Sequence, residues 1–394
     1  MNRKQLGIVL ALLVIVGGLG LVVYRHNAKT WHGAAAPKGE RVLAPFDLNA
    51  VARITLTGAT GSATLEKREG EWIVAERGYA ADFSQIRDLI RKLWELKPLQ
   101  QMKADASQYA RLELKAPKSD DPEGSALQVV LSDESGKELA TVFLGKIFMK
   151  KSPQFPDSEG FPSGRYVMSG HREGEVALVE EAFTSVKASP EVWLDKTFLD
   201  LSKIEAVELK GATPELTWKM ERKENEWHSP GLKEGEKLGV SKVPNFDSTL
   251  GHLSFTDVEP ADAKAPEIIH RVEVRTDDHF DYTFGLAELK GDRQPVTVTV
   301  SAEFPKERTP EKDEKPEDKQ RLDEAFAAKH KELEARLERE KKLEGRVFLV
   351  SSGTFSPMLS PLSEFVEAPP APEPSPEASP SGETTPPEAT PDEG

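Results

Sequence analysis

The stretches FDLNAVARITLTGAT (residues 46–60) and LDLSKIEAVELKGAT (residues 199–213) are two versions of one sequence, and they decide the fold. Six of the fifteen positions are identical, including the closing Gly-Ala-Thr. Apolar side chains alternate in both versions, as at Ile54 and Leu56, with the period of two that a half-buried strand requires. Because self-similarity at a fixed spacing marks a repeated unit, the chain is predicted to carry one strand-forming module twice.

The likeness continues into a hairpin in each copy. The sequences KREGEW, ending at Trp72, and RKENEW, ending at Trp227, correspond after a two-residue insertion. Gly70 and Asn225 are the residue types that best tolerate a positive φ, which a tight hairpin turn demands. The two tryptophans then lie on the returning strands, where they serve either as exposed binding platforms or as core anchors. Their recurrence at one position favours core anchors.

A helix is predicted after the first hairpin. Asp82 has the side chain of an N-cap, and Pro98 follows the end of the apolar periodicity. The apolar residues at steps of three and four are Phe83, Ile86, Ile90, Leu93 and Leu96. The second copy offers a shorter and less clearly capped helix at residues 243–253.

Each copy then carries further strand patterns separated by turn signals. They lie at residues 128–131, 140–144, 165–168 and 176–179 in copy one, and at residues 270–275, 281–284, 296–300 and 346–350 in copy two. The connections are too short for crossover helices, so the pairing is predicted to be mainly antiparallel. The predicted fold class is therefore α+β, with a single N-terminal transmembrane helix followed by two tandem copies of a mainly antiparallel β-sheet plus helix module.

Length and composition divide the chain into parts. At 394 residues it is long enough for two domains of ordinary size. The predicted parts are a short N-terminal tail (1–5), a transmembrane helix (6–24), a linker (25–45), repeat module 1 (46–195), repeat module 2 (196–365) with a charged helical insertion (302–344), and a disordered Pro/Glu-rich tail (366–394).

The membrane segment, residues 6–24, carries no charge, and thirteen of its residues are Leu, Ile or Val. As a helix it is about 28 Å long, close to the roughly 30 Å hydrocarbon core of a bilayer. It is predicted to anchor the chain; the alternative is a signal peptide cleaved near residues 34–36, but the apolar run exceeds the usual length of such a peptide's core. Basic residues flank both ends, so charge does not decide the orientation. The short N-terminal tail and the cysteine-free body favour a body outside the cytoplasm.

Copy two carries an insertion that copy one lacks. From residue 321 to 344 it contains strong helix formers and neither Gly nor Pro. Its thin apolar stripe consists of Leu322, Phe326, Leu333, Leu337 and Leu343. So narrow a stripe suits either a solvated helical hairpin or stalk, or a helix that docks on a partner chain. From residue 369 the chain is rich in Pro, Glu, Ser and Thr and is predicted to be a disordered tether or spacer.

The composition argues against several classes of function. A formal charge of −15 argues against nucleic acid as a partner, since phosphate recognition needs a concentrated basic face. Cysteine is absent, which removes disulfides, thiolate nucleophiles and cysteine-based metal sites. The eight histidines show no metal-ligand spacing, and the cluster Asp277, Asp278, His279 and Asp281 lies at a predicted hairpin turn, where acidic residues are common. With no catalytic motif, no catalytic, cofactor-binding or metal-binding residue is assigned, no cofactor is expected, and the protein is predicted not to be an enzyme.

Several of these elements together resemble a bacterial family. They are the segment 46–56, Trp72, the helix near residues 83–96, the series Tyr109, Leu112 and Pro117, and the strand that ends at Gly145. The pattern is similar to the domain-of-unknown-function family 4340 over roughly residues 1–260, although Ala110 stands where the family's usual element has a glycine. The resemblance implies a membrane-anchored envelope protein with its body on the outer side of the inner membrane, in some members accompanying gliding-type ABC transporters. It brings no catalytic motif.

The leading hypothesis is a non-enzymatic, membrane-anchored envelope accessory or interaction protein, an auxiliary subunit of an ABC-type transport or gliding-type complex. Its expected partners are the lipid bilayer, through residues 6–24, and membrane-complex proteins. Its expected location is the bacterial inner membrane, single-pass, with a periplasmic body. The alternative is a module that binds an envelope ligand or polymer in the cleft between the two repeats. A third hypothesis is a hydrolase with two unrecognised carboxylates in one cleft.

Overall fold

The computed structural model describes residues 34–35 and 40–367, except for residues 119, 152–153, 155–157, 200, 202 and 311–313. The predicted N-terminal tail, the predicted transmembrane helix and nearly all of the predicted disordered tail lie outside these residues. Within the described part of the chain, no helix combines the length and the apolar character needed to cross a bilayer.

The first copy folds into one sheet of ten strands. They are β1 (Ala34–Ala35), β2 (Arg53–Thr57), β3 (Ser62–Arg68), β4 (Glu71–Val74), β5 (Tyr79–Ala80), β6 (Pro98–Lys103), β7 (Leu127–Ser132), β8 (Glu138–Lys150), β9 (Phe161–Ser169) and β10 (Glu175–Val179). Along the sheet they follow the order β1-β6-β10-β9-β8-β7-β2-β3-β4-β5. In β2 the side chains of Ile54 and Leu56 are fully buried and that of Thr55 is not, as the alternation predicts.

The second copy folds into a sheet of eight strands. They are β11 (Ile204–Lys210), β12 (Thr217–Lys223), β13 (Glu226–His228), β14 (Asp257–Val258), β15 (Ile268–Thr276), β16 (Phe280–Ala287), β17 (Arg293–Ala302) and β18 (Val347–Ser351). Their order is β13-β12-β11-β15-β16-β17-β18-β14. The first sheet contains the same order when β4, β3, β2, β7, β8, β9, β10 and β6 are placed on these strands in turn. The predicted repetition of the β-sheet architecture is therefore confirmed.

Equivalent strands also share their register. Leu56 of β2 lies opposite Val129 of β7, and the matching Leu209 of β11 lies opposite Val272 of β15. The pairings between these named strands are antiparallel, as predicted. One-residue slips would turn the buried faces outward, so the shared register is what buries the same positions in both copies.

The turn between β3 and β4 and the turn between β12 and β13 have the same backbone. Glu69 and Gly70 have φ of 52° and 90°, and Glu224 and Asn225 have φ of 48° and 70°. A positive φ at both central residues characterises a type I′ turn, whose twist matches that of the flanking strands. The prediction for Gly70 and Asn225 is confirmed.

The helices are α1 (Phe83–Glu95), α2 (Ala106–Tyr109), α3 (Phe246–Gly251), α4 (Pro316–Lys341) and α5 (Ser352–Phe355). As predicted, α1 is capped by Asp82, which accepts hydrogen bonds from the backbone N–H groups of Ser84 and Gln85 at 2.9 and 3.2 Å. Since β5 and β6 lie near opposite edges of the sheet, α1 carries the chain across it. The prediction that no helix acts as a crossover was therefore wrong; the pairing stays antiparallel because β6 enters against β10.

The insertion forms one long helix, and its second half packs on the sheet of its own copy. The hydroxyl of Tyr282 in β16 donates to Glu340 at 2.8 Å, and Arg336 donates to Glu340 at 3.0 Å and to the Tyr282 oxygen at 2.7 Å. Leu333 and Leu337 pack against the core beside them. Burial raises the pKa of Tyr282, which therefore stays a hydrogen-bond donor. Neither predicted alternative, a solvated hairpin or stalk or a helix docked on a partner, describes this half of α4.

The two copies share one interior. The main cluster of buried apolar side chains runs without a break from Ile54 in the first sheet to Val350 in the second. Tyr79 of the first copy belongs to this cluster and contacts Phe255 and Phe348 of the second. Two sheets with separate interiors would rotate against each other as independent domains do. The continuous core indicates one unit instead.

Candidate functional site

The two copies are joined by a buried ion pair. Arg77, in the turn after β4, donates from Nε and Nη2 to the two carboxylate oxygens of Asp257 in β14, at 2.8 and 2.9 Å. Only 20% of the Arg77 side chain and 9% of the Asp257 side chain is exposed. The hydrogen bond to Asp257 raises the pKa of Arg77, although burial acts in the opposite direction. A two-pronged, charge-assisted contact of this kind fixes orientation as well as distance.

Further contacts close the junction around the ion pair. The ring of Tyr79 packs edge-on against Phe255 and Phe348 of the second copy, with ring centroids 5.8 and 5.9 Å away. Burial raises the pKa of Tyr79 to about 12. Arg346, just before β18, donates from Nη2 to the carbonyl oxygen of Gly78. The junction is therefore a packed interface with polar contacts across it.

An open groove with a volume of about 730 Å³ runs along this junction. Its size falls within the roughly 300–1,000 Å³ typical of ligand pockets. One wall is formed by β3 to β5 and the start of α1, and the other by the end of α4 and the residues before β18. The lining side chains and backbone, which we call the junction groove, belong to Lys67, Gly70, Glu71, Trp72, Ile73, Gly78, Tyr79, Ala80, Ala81, Phe83, Asp195, Thr197, Arg339, Lys342, Leu343 and Arg346.

The junction groove carries more positive than negative charge, in a chain whose net charge is −15. Four of its lining residues are basic, Lys67, Arg339, Lys342 and Arg346, and two are acidic, Glu71 and Asp195. None of Lys67, Arg339 and Lys342 forms an ion pair with another residue that the structure describes. The Asp195 carboxylate accepts a hydrogen bond from the backbone N–H of Thr197 at 2.9 Å. The groove is therefore locally suited to an anion.

A comparison of the two copies shows what is unusual about the groove. Phe83 and Phe246 each follow the N-cap of the helix that comes after the first hairpin. Phe246 is fully buried, and its ring contacts that of Trp227 at 4.9 Å between centroids. Phe83, at the equivalent place in copy one, is 57% exposed at the rim of the groove. Copy two thus closes the position that copy one leaves open. Within α1, Phe83 differs from Ile86 and Leu93, which are buried.

The tryptophans of the two hairpins are mainly structural. Trp72 is 9% exposed and lines the groove, and its partner in the repeat, Trp227, is half-buried against Phe246. Trp218 is 4% exposed, and Trp94 lies under the guanidinium of Arg41, 3.8 Å from the ring centroid. The core-anchor interpretation, made for Trp72 and Trp227, fits Trp72 and in part Trp227. The junction itself is concave rather than flat, so the cleft hypothesis stands.

The acidic residues of the turn that contains Asp277, Asp278, His279 and Asp281 form ion pairs. Asp277 contacts Lys203 at 3.0 Å, and Asp281 contacts Arg275 at 2.8 Å. His279 occupies the turn with φ of 65°. Among the described residues no group of three or more His, Asp or Glu side chains has the geometry to hold a metal ion.

The basic side of the groove was not predicted from the sequence. Arg339, Lys342 and Arg346 follow one another within eight residues of an otherwise acidic chain, and this concentration was the available signal. Cations in the last turn of a helix also stabilise the helix through its dipole, so their presence at the end of α4 has a local explanation too. Lys67 gave no signal, because its nearness to α4 depends on how the two copies pack.

These features define an α+β protein built from a duplicated antiparallel sheet with an open groove at the junction. The sequence model of the family described as "Domain of unknown function (DUF4340)" matches residues 72–270, half of the chain. The chain belongs to this family. The match begins at Trp72 and ends in β15, so it covers the junction and parts of both copies. No curated protein and no solved structure matches the chain.

Two sequence elements that carried the resemblance meet in the structure. Leu112 accepts a hydrogen bond through its carbonyl oxygen from the backbone N–H of Lys146 at 2.8 Å. A Cβ atom on Gly145 would lie 2.4 Å from that oxygen and 2.7 Å from the side chain of Leu114. Only glycine allows so close an approach. The contact joins the segment after Tyr109 to strand β8.

Proposed function

We propose that this protein is a non-enzymatic accessory protein of the bacterial cell envelope, anchored in the inner membrane by residues 6–24 with a periplasmic body. Its role is to hold partner proteins of a membrane complex, as an auxiliary subunit of an ABC-type transport or gliding-type system. The observation that carries the proposal is the fusion of two sheets of one architecture into a single body with a continuous core. Such a body presents surfaces in fixed relative positions, which is what a scaffold needs.

An exposed two-stranded ribbon supports a role in protein contacts. β7 pairs with β8 only as far as Leu144, whereas β9 accompanies β8 to Lys150, so the ribbon extends beyond its neighbours. Phe148, Met149 and Phe161 on this ribbon are 39%, 40% and 51% exposed. Aromatic residues and methionine are enriched in the centres of protein interfaces. The ribbon is therefore the surface that we assign to partner proteins.

Co-purification tests this proposal. The tagged full chain is recovered from membranes solubilised in several mild detergents, and its partners are identified by mass spectrometry. The double substitution Phe148→Lys/Phe161→Lys is expected to remove the partners, while Leu289→Lys, at a position 53% exposed in the turn between β16 and β17, retains them. Recovery of the wild-type chain alone in every detergent, or equal recovery of partners by both variants, would contradict the proposal.

A second candidate function is favoured by the junction groove. We propose it as a binding site for an anionic envelope ligand or polymer, because its lining combines basic side chains with the exposed ring of Phe83. Polyglutamate is the probe, with neutral dextran for comparison. Calorimetry on the full chain is expected to show binding of polyglutamate alone. Arg339→Glu/Lys342→Glu should abolish that binding, whereas Lys331→Glu/Lys341→Glu, the same charge change on exposed residues of α4 outside the groove, should preserve it. Equal binding by the two variants would remove this candidate.

A further inference from the structure

We propose that the occupant of the junction groove is a segment of this same chain, the acidic and proline-rich residues 368–394. The inference rests on the groove's capacity to bind an anion, the second candidate function above. It names residues 368–394 as the competitor of an external anion for the junction groove.

The charges of the two parts are complementary. Residues 368–394 contain six acidic side chains and no basic one. The groove contributes Lys67, Arg339, Lys342 and Arg346, of which the first three form no ion pair with other described residues. Attraction between such surfaces is long-ranged at low salt and is screened at high salt. A groove with an excess of basic side chains and a segment with only acidic ones thus occur in one chain.

The apolar parts are complementary as well. Nine of the 27 residues in 368–394 are proline. Proline-rich peptides bind aromatic-lined grooves in an extended conformation, which is already favoured before binding and so loses little entropy. Phe83 is 57% exposed at the rim, and Trp72 lies in the wall. In copy two the equivalent ring, that of Phe246, is buried against Trp227. In copy one the ring of Phe83 is exposed, and a proline ring can pack on it.

The segment is long enough to reach the groove. The last described residues are held on the second copy, where Phe365 packs against Trp218 of β12 with ring centroids 5.6 Å apart. β12 and β18 are separated by five strand spacings in the sheet order, a distance of about 24 Å. In an extended polyproline conformation, the 27 residues after Glu367 span about 84 Å. The segment is therefore long enough to reach the groove around the edge of the second copy.

Pulsed electron paramagnetic resonance on the full chain tests the proposal. The chain has no cysteine, so two spin labels can be placed by Ser381→Cys in the segment and Glu338→Cys on α4, one helical turn before Lys342. A short, narrow distance distribution is expected at low salt. It should be lost in Arg339→Glu/Lys342→Glu and at high salt, and kept in Lys331→Glu/Lys341→Glu. Circular dichroism on each variant establishes that the fold is intact, and the uncharged Arg339→Gln/Lys342→Gln repeats the test without charge repulsion.

Three results would overturn the proposal: a broad distribution in the unmodified chain, a short distance that survives both groove variants, or a short distance that disappears when labelled chains are diluted with unlabelled ones. The last result would place the segment on a second copy of the chain.

A second measurement distinguishes failure of this proposal from failure of the proposal that the groove binds anions. Replacing all six acidic residues of 368–394 by their amides is expected to raise the affinity for polyglutamate several-fold if the segment competes. Unchanged but measurable binding of polyglutamate would refute the proposal that the segment occupies the groove and would leave the groove as an anion-binding site. Absence of binding would refute both proposals.

Discussion

Removal of the guanidinium that joins the two copies provides the sharpest test of the shared core. Arg77→Ala leaves the Asp257 carboxylate buried, with only 9% of its side chain exposed, and without its two-pronged partner. Breaking a buried ion pair from one side costs about 3–5 kcal/mol. Because the Arg77 side chain is 20% exposed, we expect a loss of unfolding free energy at the lower end of this range, about 3 kcal/mol.

Urea unfolding of the full chain in mild detergent, followed by circular dichroism and tryptophan fluorescence, measures this loss. With an m value of about 3 kcal/mol per M, the midpoint should fall by about 1 M. Both probes should report one transition before the substitution, since both copies contribute to one core. Lys115→Ala, which removes the exposed pair with Asp121, is the control and should change the free energy of unfolding by less than about 0.5 kcal/mol.

A double-mutant cycle isolates the contact from other effects of truncation. Asp257→Ala and Arg77→Ala should each destabilise the protein, but the combination should cost about 2–3 kcal/mol less than the sum, since the second truncation removes a group already without its partner. Additive losses, or an Arg77→Ala effect no larger than that of Lys115→Ala, would refute the account of the junction.

Three further perturbations test local features. Asp82→Ala removes the N-cap of α1 and should lower the free energy of unfolding in urea by about 1 kcal/mol. Burial alone would raise the pKa of Asp82, but the hydrogen bonds from Ser84 and Gln85 together lower it, so the stabilisation is present at neutral pH and is lost as the pH falls through that lowered pKa. A difference between variant and wild type that does not change with pH would contradict this. Burial raises the pKa of Tyr79 to about 12, so the unfolded chain releases this proton first and stability should fall as pH rises from about 10 to 12; Tyr79→Phe should reduce that fall, and an identical alkaline profile would count against the buried hydroxyl. Gly145→Ala should destabilise by about 1–3 kcal/mol by thermal unfolding, because its methyl group would meet the carbonyl oxygen of Leu112, and an unchanged midpoint would show that the backbone gives way.

The features that the sequence predicted correctly are those with local causes. Gly70 and Asn225 mark the hairpin turns because few other residue types accept their backbone angles, and Asp82 marks a helix start because its side chain satisfies N–H groups within three residues. Alternation at Ile54 and Leu56 needs no knowledge of the partner strand, only that one face is buried. Each of these depends on a few neighbouring residues.

The features that were missed depend on distant parts of the chain. β6 lies near the sheet edge and none of its six residues is fully buried, so it lacks the alternation of a central strand. Strand β14 has only two residues, and what defines it is the partner that Asp257 finds in Arg77, 180 positions earlier. Charged residues such as Arg336 and Glu340 are expected on the surface, and their burial is explained only by Tyr282 on another strand. The groove was missed for the same reason, since Lys67 and Arg346 come together only when both copies are folded.

The uninterrupted interior constrains how such a chain could be divided. A half-chain ending before Lys196 would leave the Tyr79 ring and the Arg77 guanidinium facing water, and the other half would expose Phe255 and Phe348. Neither fragment would behave as a free-standing domain, but each would display the surface that the other requires. Produced separately, the halves should recombine into an obligate heterodimer. The repetition therefore gives two mutually dependent pieces rather than two interchangeable ones, and a change on one side of the junction alters what the other side requires.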